Sequence, residues 1–236
     1  MRLGVNIDHV ATLRNARKGS HPELLRAAQV VKNCGCYGVT MHLREDRRHI
    51  LDDDLWVIKN NLDLNINLEM AATEEMLAIA LDLKPNAVCL VPEKREELTT
   101  EGGLNLVANQ HKVIDMIAKL QEQAIKVTLF LDPQMAQIMK AIEVGVNAVE
   151  LHTGSYANAK DVLSQEHILS DLQQAASYLQ QSQVEVHAGH GLDYNNIGFI
   201  KSIKEVEEVN IGHFLIGEAV FVGLENAIKK MQNLLV

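Results

Sequence analysis

Histidines and carboxylates recur in this sequence at the ends of short β-branched runs: Asp8-His9, His42, Glu69, Glu150 with His152, His190, and Gly212-His213. Imidazole beside carboxylate suits stepwise proton transfer near neutral pH. Any one such residue is ordinarily a hydrogen-bonded structural group, but six sets converging on one place would build a titratable cluster. The run HLREDRRHI, His42 to Ile50, adds Arg44, Arg47, Arg48 and His49, donors suited to a phosphate. This run leaves a strand and enters a helix, where cations oppose the helix dipole. They therefore require an anionic partner, either a ligand or the carboxylates Asp52 to Asp54. The loop NARKGS, with Arg17, is a second cationic candidate. Two glycine-rich stretches follow late in the chain, HAGHGL (His187 to Leu192) and NIGHFLIGEAVFVG (Asn210 to Gly223). Gly212 before an apolar helical run fits a phosphate held by backbone N–H groups. Phosphate sites on both sides of an acid–base cluster suggest the joining of two phosphorylated substrates, or one bisphosphate.

Short strand-like runs and longer helix-period runs must position these groups. The predicted strands are Leu3 to Ile7, Gly38 to His42, Asn65 to Glu69, Ala87 to Val91, Val127 to Leu131, Ala148 to Leu151, Val184 to His187 and Val209 to Ile211. Between them, Met76, Ile79, Ala80 and Leu83 keep helical spacing, as do Met135, Ile138, Met139 and Ile142. Pro22 is placed to open the first helix, and Gly35 and Gly145 to close helices. Strand alternating with helix implies parallel pairing, and eight units fit either a (β/α)₈ barrel or a doubly wound sheet. Strand parity favours the barrel. In Asn65-Ile66-Asn67-Leu68-Glu69 only alternate residues are apolar, whereas a sheet covered on both faces would be apolar on both. The expectation is an α/β fold, a TIM barrel with extra helices, forming one domain over residues 1–236.

Composition removes other classes. Of 236 residues 47% are hydrophobic, enough for a sizeable core, and the formal net charge is −9. That charge argues against a nucleic-acid or membrane-surface binder. No apolar run approaches the ~20 residues of a membrane span, and MRLGVNIDHV lacks a signal-peptide core, so a cytoplasmic protein is expected. The cysteines Cys34, Cys36 and Cys89 match no disulfide or zinc pattern. No lysine ends a predicted strand, so an enzyme–substrate Schiff base is not expected, and any imine must use an amine brought by a substrate. No metal is the default expectation. The segment Pro92 to Asn105 is longer than a usual βα loop and is either a mobile lid, hinged at Gly102-Gly103, or a plain surface excursion.

With GVNIDHVATLRNAR, HLREDRRHI, NLEMAATEEM, LVPEKREELTTEGGL, ELHTGSYA, AGHGLDY and NIGHFLIGEAV all in order, the chain resembles the pyridoxine 5′-phosphate synthase family from Gly4 nearly to its C-terminus. The resemblance implies a barrel with added helices, a homo-octamer built as a tetramer of dimers, and no metal or organic cofactor. It implies condensation of 1-deoxy-D-xylulose 5-phosphate with 3-amino-2-oxopropyl phosphate, releasing phosphate and two waters. By resemblance, His42 and Glu69 are proton acceptors, His190 a proton donor, and Glu150 a stabiliser of cationic intermediates. Asp8, His9, Arg44, His49 and Thr99 resemble contacts to the deoxyxylulose phosphate, and Asn6, Arg17, Gly191, Gly212 and His213 contacts to the aminoketone phosphate. Two residues depart from the pattern: His187 stands where Asn is expected, and Glu218 where Arg is expected. The alternatives are a barrel isomerase or aldolase acting on one sugar phosphate, and a barrel that binds phosphorylated ligands without turnover.

Overall fold

In the computed structural model, which describes residues 1–93 and 102–236, eight parallel strands pair in chain order and β8 returns to β1, closing a barrel. The strands are β1 Arg2–Asn6, β2 Gly38–His42, β3 Asn65–Met70, β4 Ala87–Leu90, β5 Lys126–Leu131, β6 Ala148–His152, β7 Glu185–Gly189 and β8 Val206–Ile211. All eight predicted strands are present, displaced by at most three residues at an end. The parity argument holds as well. In β3, Ile66, Leu68 and Met70 are buried toward the helices while Asn65, Asn67 and Glu69 are only half-buried. Outward-facing aliphatics such as Val5, Val39, Leu90, Leu129, Val149 and Val209 form the continuous core between sheet and helices. Among the described residues, Cys89, Val91 and Phe130 form a second apolar cluster, separate from that core.

Both predicted helical patterns are helices, Glu74–Leu83 and Met135–Glu143, although Met139 faces solvent. Gly35 and Gly145 each follow a helix end with φ of +69° and +74°, a conformation glycine adopts without strain. Pro22 does not open the first helix. Helix Asp8–Ala16 follows β1 at once, and Pro22 lies ahead of the second helix, Leu24–Asn33. The earlier helix has no clean apolar stripe because Asp8 and Arg14 sit on its buried face beside Val10 and Ala11. The extra helices also include the short Gly154–Ala157 ahead of Val162–Gln181, and Leu224–Leu235 after His213–Val222. Among the described residues no helix is long and apolar enough to cross a membrane. The three cysteines are unpaired.

The N-terminal end of the barrel is closed by charge. Glu185 of β7 binds Arg2 and Lys126, and accepts from His187 Nε2 at 2.9 Å. Arg2 Nε also donates to Glu208 Oε2 at 3.0 Å. His187, Lys126 and Arg2 hold the Glu185 carboxyl far below the usual carboxylate range against the cost of its burial. The departure at position 187 thus adds a partner to this plug. Replacing Glu185 by Gln leaves two cations short of a counter-charge. The expected loss is about 2 kcal/mol, since the group is partly exposed, or roughly 4–8 °C in Tm. Because the folded pKa is depressed, this stabilisation is complete above the unfolded carboxylate value near ~4.3 and fades as pH falls below it. The Tm difference between Glu185→Gln and the unmodified protein should be full at pH 7 and shrink below pH ~4. A difference that does not change with pH would contradict this account.

Candidate active site

Parallel register places the polar strand ends side by side. His42 pairs with Glu69, Glu69 with Cys89, Glu150 with His187, and Gly189 with Asn210. Asp8, at the first turn of the helix after β1, is buried and ties the mouth together. Its Oδ1 accepts the His42 backbone N–H at 2.9 Å and its Oδ2 accepts Asn6 Nδ2 at 2.8 Å. Asn6 Oδ1 in turn accepts the Asp8 N–H at 2.9 Å. His42 Nε2–H donates to Glu93 Oε1 at 2.8 Å. A neutral His42 then turns its bare Nδ1 toward Glu69 Oε2, 3.7 Å away. Glu69 is raised well above the usual carboxylate range by burial, by Asp8 and by Glu150. A proton can therefore rest on Glu69 or on His42, as an acid–base pair requires.

Glu150 lies deeper, 3% exposed, where burial pushes it up to about 7 despite His187 and the hydrogen bond from Asn210. Asn210 Nδ2 donates to Glu150 Oε2 at 2.8 Å, and Asn210 Oδ1 accepts Thr40 Oγ1–H at 2.9 Å. A Cβ on Gly189 would stand 2.0 Å from Glu150 Oε1, so only glycine leaves that carboxylate its place. On the opposite rim, His190 has φ +82° and its pKa falls to about 4 through burial, His152 and His213. The His9 and His213 rings meet edge-on at 4.7 Å, and burial and His213 lower His9.

The basic run is not a helix start. Helix Asp52–Asn61 begins after it, with three aspartates in its first turn, which suits the dipole. Arg47 binds Asp52 at 2.9 and 3.0 Å and Glu75 at 2.6 Å, and Arg48 binds Asp46 at 2.6 Å, so these two cations are taken up by carboxylates. Arg44 is 3% exposed, and its charge acts on Glu93 and on His49. The His42 and His49 rings lie 5.7 Å apart, and burial lowers His49. Arg44 and His49 therefore border the His42–Glu69 pair. Across the mouth, Gly212 precedes helix His213–Val222, whose N-terminus has no acidic first turn and no side-chain cap. Its N–H groups are open to an anion. Gly191, with φ +77°, packs against Ala157 beside His190. Arg17 is exposed at the far end of helix Asp8–Ala16, about 13 Å along its axis from the mouth, and does not join the cluster within this chain. Thr99 lies outside the described residues, as does most of Pro92 to Asn105. Gly103, at the edge of that segment, donates its N–H to Asp132 Oδ2 at 3.0 Å.

The sequence reading passed over the ends of β4 and β5, which contribute Glu93 and Asp132. Both stand just past their strands, Asp132 one position after β5 and Glu93 three after β4, where a search of the next three positions finds them. Among the described residues, two groups could geometrically hold a metal ion, Asp8–His42–His49 and Glu185–His187–Glu208. In the first, both Asp8 oxygens and His42 Nε2 already have partners; in the second, Arg2 and Lys126 already balance the carboxylates.

A cluster of carboxylates and imidazoles between two anion-ready rims is thus what the fold builds. Residues 3–236 match the family model described as pyridoxal phosphate biosynthesis protein PdxJ. The chain belongs to the PdxJ family. Within it, the chain is 54% identical to a pyridoxine 5′-phosphate synthase of Zymomonas mobilis subsp. mobilis, covering 100% of this chain and 91% of that protein. It is 50% identical to a pyridoxine 5′-phosphate synthase of Aliivibrio fischeri, over 99% of this chain and 96% of the other. Solved structures of a 3-hexulose-6-phosphate synthase (TM-score 0.67, 16% identity, 100% of both chains) and of KGPDC from Streptococcus mutans (TM-score 0.68, 12% identity, 99% and 96%) share the barrel. At such identities they bear on fold alone.

Proposed function

We propose that this PdxJ-family barrel condenses 1-deoxy-D-xylulose 5-phosphate with 3-amino-2-oxopropyl phosphate to pyridoxine 5′-phosphate, releasing phosphate and two waters. The observation that carries the reading is the His42–Glu69 pair, with Glu150 beneath it, set between the Arg44–His49 rim and the uncapped helix at Gly212–His213. The aminoketone supplies the amine for an imine with the sugar phosphate. Glu69 and His42 take protons from carbon and oxygen as the intermediate rearranges, His190 gives protons to departing oxygens, and ionised Glu150 stabilises the cationic imine from below. Asp8, His9, Arg44, His49 and Thr99 bind the deoxyxylulose phosphate; Asn6, Gly191, Gly212 and His213 bind the aminoketone phosphate, with Arg17 reaching it from a neighbouring copy of the chain in the assembly. We place the enzyme in the cytoplasm, as one barrel domain per chain assembled into a homo-octamer, a tetramer of dimers. Val220 and Phe221, 73% and 84% exposed on helix His213–Val222, support burial of that face in an assembly.

Incubation with both substrates should yield pyridoxine 5′-phosphate and inorganic phosphate in equal amounts, read by mass spectrometry and a phosphate assay. Turnover of one sugar phosphate alone would indicate an isomerase or aldolase, and saturable binding without product a ligand-binding barrel. The rim assignment has its own test. Arg44→Ala deletes a charge-assisted contact made in ground and transition states alike, worth ~1.5–3 kcal/mol, so KM for the deoxyxylulose phosphate should rise roughly 10- to 100-fold with kcat little changed. Unchanged KM for both substrates would remove Arg44 from phosphate binding.

A further inference from the structure

The ends of β5 and β6 carry a pair of side chains that the acid–base steps above leave unused. His152 closes β6 and Asp132 directly follows β5. His152 Nδ1–H donates to Asp132 Oδ1 at 2.9 Å, while Asp132 Oδ2 accepts the Gly103 N–H at 3.0 Å. The carboxylate is thus fixed from two sides. It can only accept, so neutral His152 carries its proton on Nδ1 and presents a bare Nε2. That Nε2 is buried and has no hydrogen-bond partner among the described residues, and the residue as a whole is 6% exposed. A buried ring nitrogen with no partner is costly, and marks a group kept for a ligand or a proton.

The neighbourhood of that nitrogen identifies its use. The His152 and His190 rings stand 5.1 Å apart, tilted by 59°. A Cβ on Gly154 would come 2.4 Å from His152 Nε2 and 2.9 Å from His190 Cδ2, so a glycine there leaves the space between the rings open. Asp132, His152 and His190 also border one cavity of about 620 Å³. We propose that Asp132 and His152 form a proton relay for His190, acting as positioning residues rather than touching the reacting atoms. The inference rests on His190 being the proton donor of the reaction above.

The transfer balances simply. His190 gives a ring proton to a departing substrate oxygen, and the His152 imidazolium returns one from Nε2 to His190, directly or across one water. His152 then regains a proton from the solvent through water in the cavity, balanced by the protons that Glu69 and His42 take from the substrate and release, and Asp132 remains ionised throughout. Burial, His152 and His213 keep the His190 pKa near 4, so few His190 rings hold a donatable proton at neutral pH and a neighbour must supply it. The hydrogen bond from His152 holds the Asp132 carboxyl below its ordinary range, which keeps it ionised as the counter-charge. The titratable groups facing His152 are Asp132 from the β5 end and His190 from the loop after β7, with His213 beyond it; Asp171 of helix Val162–Gln181 borders the same cavity.

The test uses Asp132→Asn, which can still accept from Gly103, together with His152→Gln and the double variant, each assayed with both substrates across pH. Asp132→Asn should lower kcat roughly 10- to 100-fold while both KM values stay within about two-fold. Its kcat profile should also depart from the unmodified protein's on the alkaline side, because the neutral amide offers a proton-carrying relay no counter-charge. The double variant should lose no more than the worse single one, as members of one relay do. A kcat and pH profile equal to the unmodified protein's, with only thermal stability reduced, would make the pair a structural clamp on Gly103 and overturn the relay. If the unmodified protein forms no product, the functional reading falls, and ring-nitrogen NMR of the free protein decides the relay alone. A protonated Nδ1 on His152, with Nε2 titrating in step with His190, supports it; independent titration overturns it.

Discussion

Glu69→Gln should lower kcat at least ~100-fold while leaving both KM values within a few-fold, since a positioned base contributes 10²–10⁴ and the amide keeps the shape. Glu69 is suited to this loss because burial, Asp8 and Glu150 raise its pKa, making it a stronger base than a free carboxylate. His42 is the natural partner in the exchange, with Nδ1 3.7 Å from Glu69 Oε2. The same elevation predicts the variant's stability, which separates lost chemistry from lost folding. A carboxyl whose folded pKa lies above its unfolded value stabilises the fold below the unfolded value, and that contribution is lost as pH rises through the folded one. Glutamine carries no such titration. Glu69→Gln should therefore melt no lower than the unmodified protein at pH 8, and the comparison should turn in its favour as pH rises from 5 to 8. Retained turnover would remove Glu69 from the mechanism; a large drop in Tm would show that the residue serves structure.

How much of this could be read from sequence depended on whether a residue's role is set along the chain or across it. The strands were legible because β-branched runs of four to six residues stand between helical stretches, and the alternation in Asn65 to Glu69 distinguished a polar barrel interior from a sheet covered on both faces. The polar strand ends were legible for the same reason, since the mouth of a parallel barrel gathers the C-terminal residue of every strand. Partners fixed by register were not. Asn210 supports Glu150 only because β8 lies beside β7 and β1, which brings Gly189 and Gly4 level with it. The basic run misled in one respect, since counting cations could not show that Arg47 and Arg48 turn toward Asp52, Glu75 and Asp46. Helix Asp8–Ala16 was hidden because Asp8 and Arg14 face inward, where Arg14 binds Asp54 at 2.5 and 2.9 Å.

Glu150→Gln is expected to give the second large loss, and its pH dependence identifies the cause. Glu150 is enclosed by the barrel wall, and burial pushes its pKa up to about 7, so in the free protein near neutrality it is divided between the two charge states. A cationic imine forming above it favours the ionised state, and in a site closed to water this attraction is far stronger than in solution. Removing one such preorganised charge typically costs 10²–10³-fold, and kcat/KM should fall by about that factor. The active form is the carboxylate, so kcat/KM of the unmodified enzyme should rise as pH increases through about 7 and then level off as Glu150 completes its ionisation. In Glu150→Gln that acid limb should vanish, leaving a low and flatter profile, because the amide does not titrate. Asn210 keeps an acceptor in the Gln carbonyl, so the hydrogen bond now at 2.8 Å has a replacement and the local packing is preserved. A Glu150→Gln enzyme that kept its limb near neutral pH would transfer that titration to another group, with His42 and Glu69 the next to replace. A variant that kept both its rate and its limb would show that the charge beneath the imine comes from elsewhere in the mouth.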